Sequence, residues 1–147
     1  MNSQSNAARG KARRFALQAL YQMQLTGATA SDVEAQFRQD YDMKRVDVGY
    51  LHELLSGIGK EQDALIEAVA PRLDRDVGEL DPIARAALLI GSFEIVHRID
   101  IPYRVAINEA VELAKQFGAE DSHKFVNSVL DALSTEYRQI ERQARKS

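Results

Sequence analysis

Apolar side chains recur three and four residues apart along almost the whole chain, and that period belongs to helices rather than strands. From Arg9 to Leu25, Ala12, Phe15, Ala16, Ala19, Leu20 and Met23 share one helix face, and Gly27 ends the pattern. Ser31 followed by Glu34 has the form of a capping box and opens a short helix to about Arg38. Val48, Leu51, Leu54, Leu55 and Ile58 form a further stripe, interrupted by Gly57 and Gly59. Leu65, Ile66 and Val69 then continue the helical pattern until Pro71, which stops it near Ala70. Asp81-Pro82 is a cap followed by proline at the first helical position, and the helix it opens runs to about Arg98 with Ile83, Ala86, Ala87, Ile90 and Phe93 together. Pro102 opens the next, with Ala106, Ala110, Leu113, Ala114 and Phe117 aligned and Gly118 as its C′ residue. The last runs from about Ser122 to Arg142, with Val126, Val129, Leu130, Leu133, Tyr137 and Ile140 inward.

The expected fold class is therefore all-α, with about seven helices and almost no strand signal. At 147 residues the chain fits one domain with a core that needs no staples. Residues 1–8 are polar and expected to be disordered, 9–142 to form the single helical domain, and 143–147 a charged tail. Within the domain the Pro71–Asp81 segment separates two helical halves, about 9–71 and 81–142.

Composition narrows the chemistry. The chain has no cysteine, which excludes disulfides, cysteine zinc sites and thiol nucleophiles. No apolar run reaches the length of a membrane span and the N-terminus lacks a signal-peptide core, so the expected location is cytoplasmic, without a membrane partner. The net charge is −3, yet residues 1–31 carry Arg9, Lys11, Arg13 and Arg14 and no acid, leaving 15 basic against 22 acidic side chains elsewhere. Such asymmetry suggests an anion-binding end on an acidic body, or else a solvated, partly frayed terminus.

Two segments carry side chains suited to RNA. In the first helix Arg14, Gln18 and Tyr21 fall at i, i+4 and i+7, a polar stripe beside the apolar one. Arginine supplies phosphate affinity, glutamine can read a base edge and tyrosine can stack; a solvated helix face is the plain alternative. In the last helix Phe125 points roughly 90° from the centre of the apolar stripe and shares its flank with Asp121, Ser128 and Lys124. An aromatic so placed is a candidate platform for an unstacked base, unless it packs beneath a neighbouring helix. Asp121 is a helix cap, a base contact, or both.

Enzyme signatures are missing. His52, His97 and His123 lack metal-ligand spacing and no HExxH pattern occurs, so no metal is expected. Neither GxGxxG nor GxxxxGK[ST] is present, and Gly57 and Gly59 lack the rest of a phosphate motif, so no cofactor is expected. Glu109 and Glu112 read as solvated partners of nearby bases, Lys115 lying three residues after Glu112. Glu94 is the one acid at a core-facing phase, which calls for an ion pair or cap with an arginine.

Arg9-Gly10-Lys11-Ala12-Arg13-Arg14 followed by Ala19-Leu20-Tyr21 resembles the basic start of the NusB family of bacterial transcription antitermination factors. Pro102-Tyr103-Arg104-Val105-Ala106-Ile107-Asn108-Glu109-Ala110 through Asn127 is similar to that family's C-terminal signature, and the spacing fits from about residue 9 to 140. The resemblance implies two packed helical subdomains forming one compact domain, and a non-catalytic adaptor. It implies binding to the boxA element of ribosomal RNA transcripts together with NusE, a small-subunit ribosomal protein, within an antitermination complex on RNA polymerase. Carried over by position, the RNA surface comprises Arg9, Lys11, Arg13 and Arg14 with Gln18 and Tyr21, then Asp121, Lys124 and Phe125; Glu79 and Arg85 are assigned to the protein partner. Gly10 and Arg14 depart from the family pattern, as does Leu89, where relatives often carry arginine in the helix region expected to meet NusE. Two rival readings are a NusB-like module of a ribosomal RNA methyltransferase, which requires a longer chain, and a purely protein-binding adaptor or homodimer, which buries Phe125.

Overall fold

The computed structural model of the protein describes residues 3–146, and among these every regular element is helical. Seven α-helices run in order: α1 Ser3–Thr26, α2 Ala30–Asp40, α3 Val48–Val69, α4 Pro82–His97, α5 Tyr103–Phe117, α6 Ser122–Tyr137 and α7 Gln139–Lys146. Two short 3-10 turns, Ala70–Arg72 and Val77–Glu79, lie between α3 and α4. The chain divides into two compact units, one ending at Glu61 and the other starting at Gln62.

In the first unit α1 starts at Ser3, so residues 3–8, expected to be disordered, form its first turns; Met1 and Asn2 lie outside the described residues. Ala7 and Ala8 favour helix, and the Ala8 carbonyl accepts from the Asp47 amide at 3.1 Å, which ties this end to the loop before α3. The buried arc of α1 is wider than a single stripe. It includes Leu17 and Arg13 as well as Ala12, Ala16, Ala19 and Leu20, about 160° of the helix circumference. Phe15 meets Phe37 and Tyr41 in an aromatic cluster with centroids 6.1 and 5.3 Å away. The cap of α2 is Thr29, whose hydroxyl accepts from the Asp32 amide, and not Ser31. Glu34 consequently serves no capping box; it pairs with Arg38 at 2.7 Å and His52 at 2.8 Å.

Gly57 and Gly59 do not interrupt α3, which runs unbroken across both. Burial of Leu51, Leu54, Leu55 and Ile58 outweighs the local cost of about 1 kcal/mol per glycine. The division between units falls inside α3, so the Pro71–Asp81 segment is not the boundary. That segment packs on the second unit: Leu80 is buried, and Arg72 pairs with Glu136 of α6 at 3.3 Å.

The second unit is built round α4, in which Ala84 and every residue from Ala86 to Ile95 are buried. A helix apolar on all sides belongs at the centre of a bundle, here against α5 and α6. Asp81 caps it by accepting from the Ala84 amide at 3.1 Å. Close approach of α4, α5 and α6 depends on Gly91. A Cβ built there would lie 2.4 Å from Leu130 Cδ1 and 3.1 Å from the Ala110 Cβ. Gly91→Ala is expected to destabilise the protein by about 1–3 kcal/mol, overpacking outweighing the better helix propensity of alanine. Chemical denaturation measures this, and a variant as stable as the parent contradicts the tight packing.

The expected final helix, Ser122 to Arg142, is broken at Arg138, where φ −128 and ψ 35 leave the helical region. The break has a cause: the Arg138 side chain, 4% exposed, turns inward to the end of α4. Its guanidinium donates to the carbonyls of Ile95 at 2.8 Å, Glu94 at 3.0 Å and Arg98 at 2.9 Å, and so gathers the main chain at the C-terminal end of α4, where helix carbonyls run short of intrahelical donors. Arg138 thus reaches Glu94 at its main-chain carbonyl. Arg138 also pairs with Glu141, whose other carboxylate oxygen accepts from the Tyr103 amide at 2.9 Å and so caps α5. Arg142 bonds Asp131 and Ser134 and lies 4.9 Å from the Tyr103 ring centroid. The region expected as a charged tail is therefore helical as far as Lys146; Ser147 lies outside the described residues. Tyr137 and Ile140, expected inward, are 42% and 85% exposed: Tyr137 ends α6, and the break at Arg138 rotates Ile140 in the helix that follows it.

Candidate nucleic-acid interface

Helix geometry sorts the α1 residues into two sets. Arg9 and Arg13 point to the buried side and clasp one ring: their guanidinium carbons lie 4.6 and 5.6 Å from the Tyr50 centroid. Tyr50 is itself buried and Arg13 is 4% exposed, so Arg13 shapes this end of the first unit and does not offer a surface phosphate contact. The expectation of Arg13 as part of an exposed basic surface is corrected on that point; stacking on Tyr50 offsets part of the cost of burying its charge. Lys11, Arg14, Gln18 and Tyr21 fall on the opposite arc, partly or fully exposed. The Gln18 amide donates to the Arg14 carbonyl at 3.3 Å, which holds its side chain along the helix, and Tyr21 is 36% exposed.

The second group stands at the start of α6, in the second unit. Val126, Val129, Leu130 and Leu133 are buried, whereas Phe125 is only half-buried on the flank. The off-core angle read from the sequence is where the structure places it. Asp121 has φ 70 and ψ −4, the left-handed conformation, and its side chain caps nothing. Side-chain capping needs an extended N-cap backbone, so the carboxylate turns outward and meets the Lys124 ammonium at 3.3 Å, both side chains well exposed. Of the readings open for Asp121, the side-chain cap is excluded. Gly118 is extended at φ −96 and not left-handed. Glycine is required there by space, since a Cβ would lie 2.7 Å from the Ala114 carbonyl oxygen and 2.6 Å from Ser122 Oγ.

One residue at this site escapes sequence reasoning. The guanidinium of Arg75, from the stretch between the two 3-10 turns, lies 4.9 Å from the centroid of the Phe125 ring. Asp74 grips it from the side, Nε to Oδ1 at 2.7 Å and Nη2 to Oδ2 at 3.2 Å. The hydrogen bond from Arg75 holds the Asp74 carboxyl below its ordinary value, and the same bond raises the guanidinium. A basic residue fifty positions from Phe125, in a segment without helical period, carries no signal of this contact in the sequence. Elsewhere, Glu79 is exposed and Arg85 partly buried, and burial lowers the Arg85 guanidinium from its ordinary value. Leu89 lies buried in α4, so it offers no surface contact to a partner.

Fold and surface together define an all-helical protein that presents aromatic and charged side chains on its surface. Comparison with known proteins narrows that class. A family model described as the NusB family matches residues 10–135. The Transcription antitermination protein NusB of Alcanivorax borkumensis is 52% identical over 145 residues, 99% of this chain and 97% of that one. Its counterpart in Idiomarina loihiensis is 54% identical over 125 residues, 85% of this chain and 90% of that one. Among solved structures, T. maritima NusB superposes with a TM-score of 0.80 at 26% identity, covering 92% of this chain and 96% of that one. The chain belongs to the NusB family of transcription antitermination factors, which are not enzymes. Among the described residues no helix is long and apolar enough to cross a membrane.

Proposed function

We propose that the protein is a non-catalytic adaptor in transcription antitermination, binding the single-stranded boxA element of ribosomal RNA transcripts together with NusE on RNA polymerase. The observation that carries this reading is Phe125: an aromatic ring left partly exposed on the flank of a helix whose own core face is filled by valine and leucine. Single-stranded RNA suits it, because its bases are free to splay onto an aromatic whereas a duplex hides them. Beside the ring, Lys124 supplies a phosphate contact and Asp121 accepts from a base amino group. In the first unit Lys11 and Arg14 hold phosphates, Arg9 adds charge from the Tyr50 clasp, and Gln18 and Tyr21 face bases. Glu79 and Arg85 are assigned to the protein partner.

Titration of the intact protein with boxA-like and scrambled single strands, with and without NusE, tests the reading. Tighter binding of the boxA-like strand, enhanced by NusE, is expected, with a log–log salt slope of about 0.7 per phosphate neutralised. Equal affinity for both strands in the presence of NusE overturns it.

A further inference from the structure

The geometry points to Arg75 as a further specificity-determining residue, the lid of a stacking slot whose floor is Phe125 and into which one unstacked base of the RNA inserts. The inference rests on the RNA-binding reading and goes beyond it in assigning the second wall. The guanidinium covers the ring at 4.9 Å from its centroid, too close to admit a base without moving. It is free to move: the side chain is 46% exposed and belongs to a stretch outside any helix. What holds it down is an exposed cation–π contact and an exposed ion pair to Asp74, itself 69% exposed. Each is worth no more than about fivefold in an equilibrium.

A base stacked on an aromatic is worth about five- to a hundredfold, which at least matches the ring contact it displaces when the ion pair to Asp74 is kept. The displaced guanidinium is planar and stacks on the other face of the same base, as arginine does and lysine does not. Asp74 stays beside the site, its two oxygens already aligned with the guanidinium fork, and limits how far the lid swings. In the absence of RNA the same contact covers a ring that otherwise presents apolar surface to water.

The test is titration of a boxA-like strand carrying 2-aminopurine at successive positions into the full chain, its Arg75→Ala and Arg75→Lys variants, across a range of salt. At one position fluorescence quenching by the parent protein is expected to be strong and to weaken in both variants. Arg75→Ala is expected to bind about tenfold more weakly, with unchanged melting temperature. Arg75→Lys is expected to recover the salt slope of the parent but less than half of the lost affinity on a logarithmic scale, because it restores charge without the plane. Full recovery by lysine overturns the lid in favour of a simple phosphate contact. Unchanged affinity in Arg75→Ala, with the parent still preferring the boxA-like strand, overturns the inference while leaving the RNA-binding reading intact. Loss of that preference in the parent itself removes both.

Discussion

Arg138→Met is expected to destabilise the protein by about 3–5 kcal/mol, the loss typical of breaking a buried charged network. For a chain of this length that corresponds to a fall in melting temperature of roughly 10–15 °C. Methionine approximates the volume of the arginine stem, so the loss isolates the polar contacts. Three main-chain carbonyls at the end of α4 lose the guanidinium, though Glu94 and Arg98 keep the backbone amides of Arg98 and Ile101, and Glu141 loses the cation that orients it toward the Tyr103 amide. Arg138→Lys is expected to recover less than half of the loss, since one ammonium cannot reach carbonyls that a planar fork spans. Amide exchange should locate the damage, with protection lost first at the last turn of α4 and the first turn of α5. A methionine variant within 1 kcal/mol of the parent would show that water substitutes for the clamp.

Phe125→Asp is expected to weaken binding of a boxA-like strand by about a hundredfold or more. Loss of stacking alone accounts for about five- to a hundredfold. The added carboxylate, beside Asp121, then faces phosphates and withdraws the favourable electrostatic contribution of Lys124. Because Phe125 is half-buried on a flank, its removal is expected to cost less stability than the 3–5 kcal/mol typical of a core phenylalanine, and circular dichroism should show an intact helical fold. Phe125→Ala separates the two contributions: it removes the ring without adding charge and should fall between the parent and the aspartate variant. Parent-like affinity of the aspartate variant for RNA, with and without NusE, would be incompatible with a base on this ring.

How legible these features were varies with the range over which each is specified. The helix content, the Asp81-Pro82 start of α4 and the off-core angle of Phe125 follow from spacing within a few residues, because helix periodicity is local. Arg13 illustrates the opposite case. Its place in a basic run suggests a surface cation, and only Tyr50, thirty-seven positions on, reveals that it is clasped and buried. Asp121 carries every local mark of a cap, yet the turn after Gly118 sets it in a left-handed conformation in which its side chain cannot cap. The glycines err in both directions: Gly57 and Gly59 look like breaks and are not, while Gly91 looks incidental and is where three helices meet.

The amino-acid sequence by itself determined the all-helical class, most helix starts, most but not all core-facing residues of α5 and α6, and, through its motifs, the family. Each of these depends on neighbours within one or two turns, or on a signature read as a string. The tertiary structure alone decided that Arg138 breaks the last helix to cap α4, that Arg13 is a core cation, and that Arg75 lies on Phe125. Those contacts join residues 37 to 50 positions apart through directional hydrogen bonds and ring contacts, and no periodicity in a chain records which distant partner a guanidinium will meet.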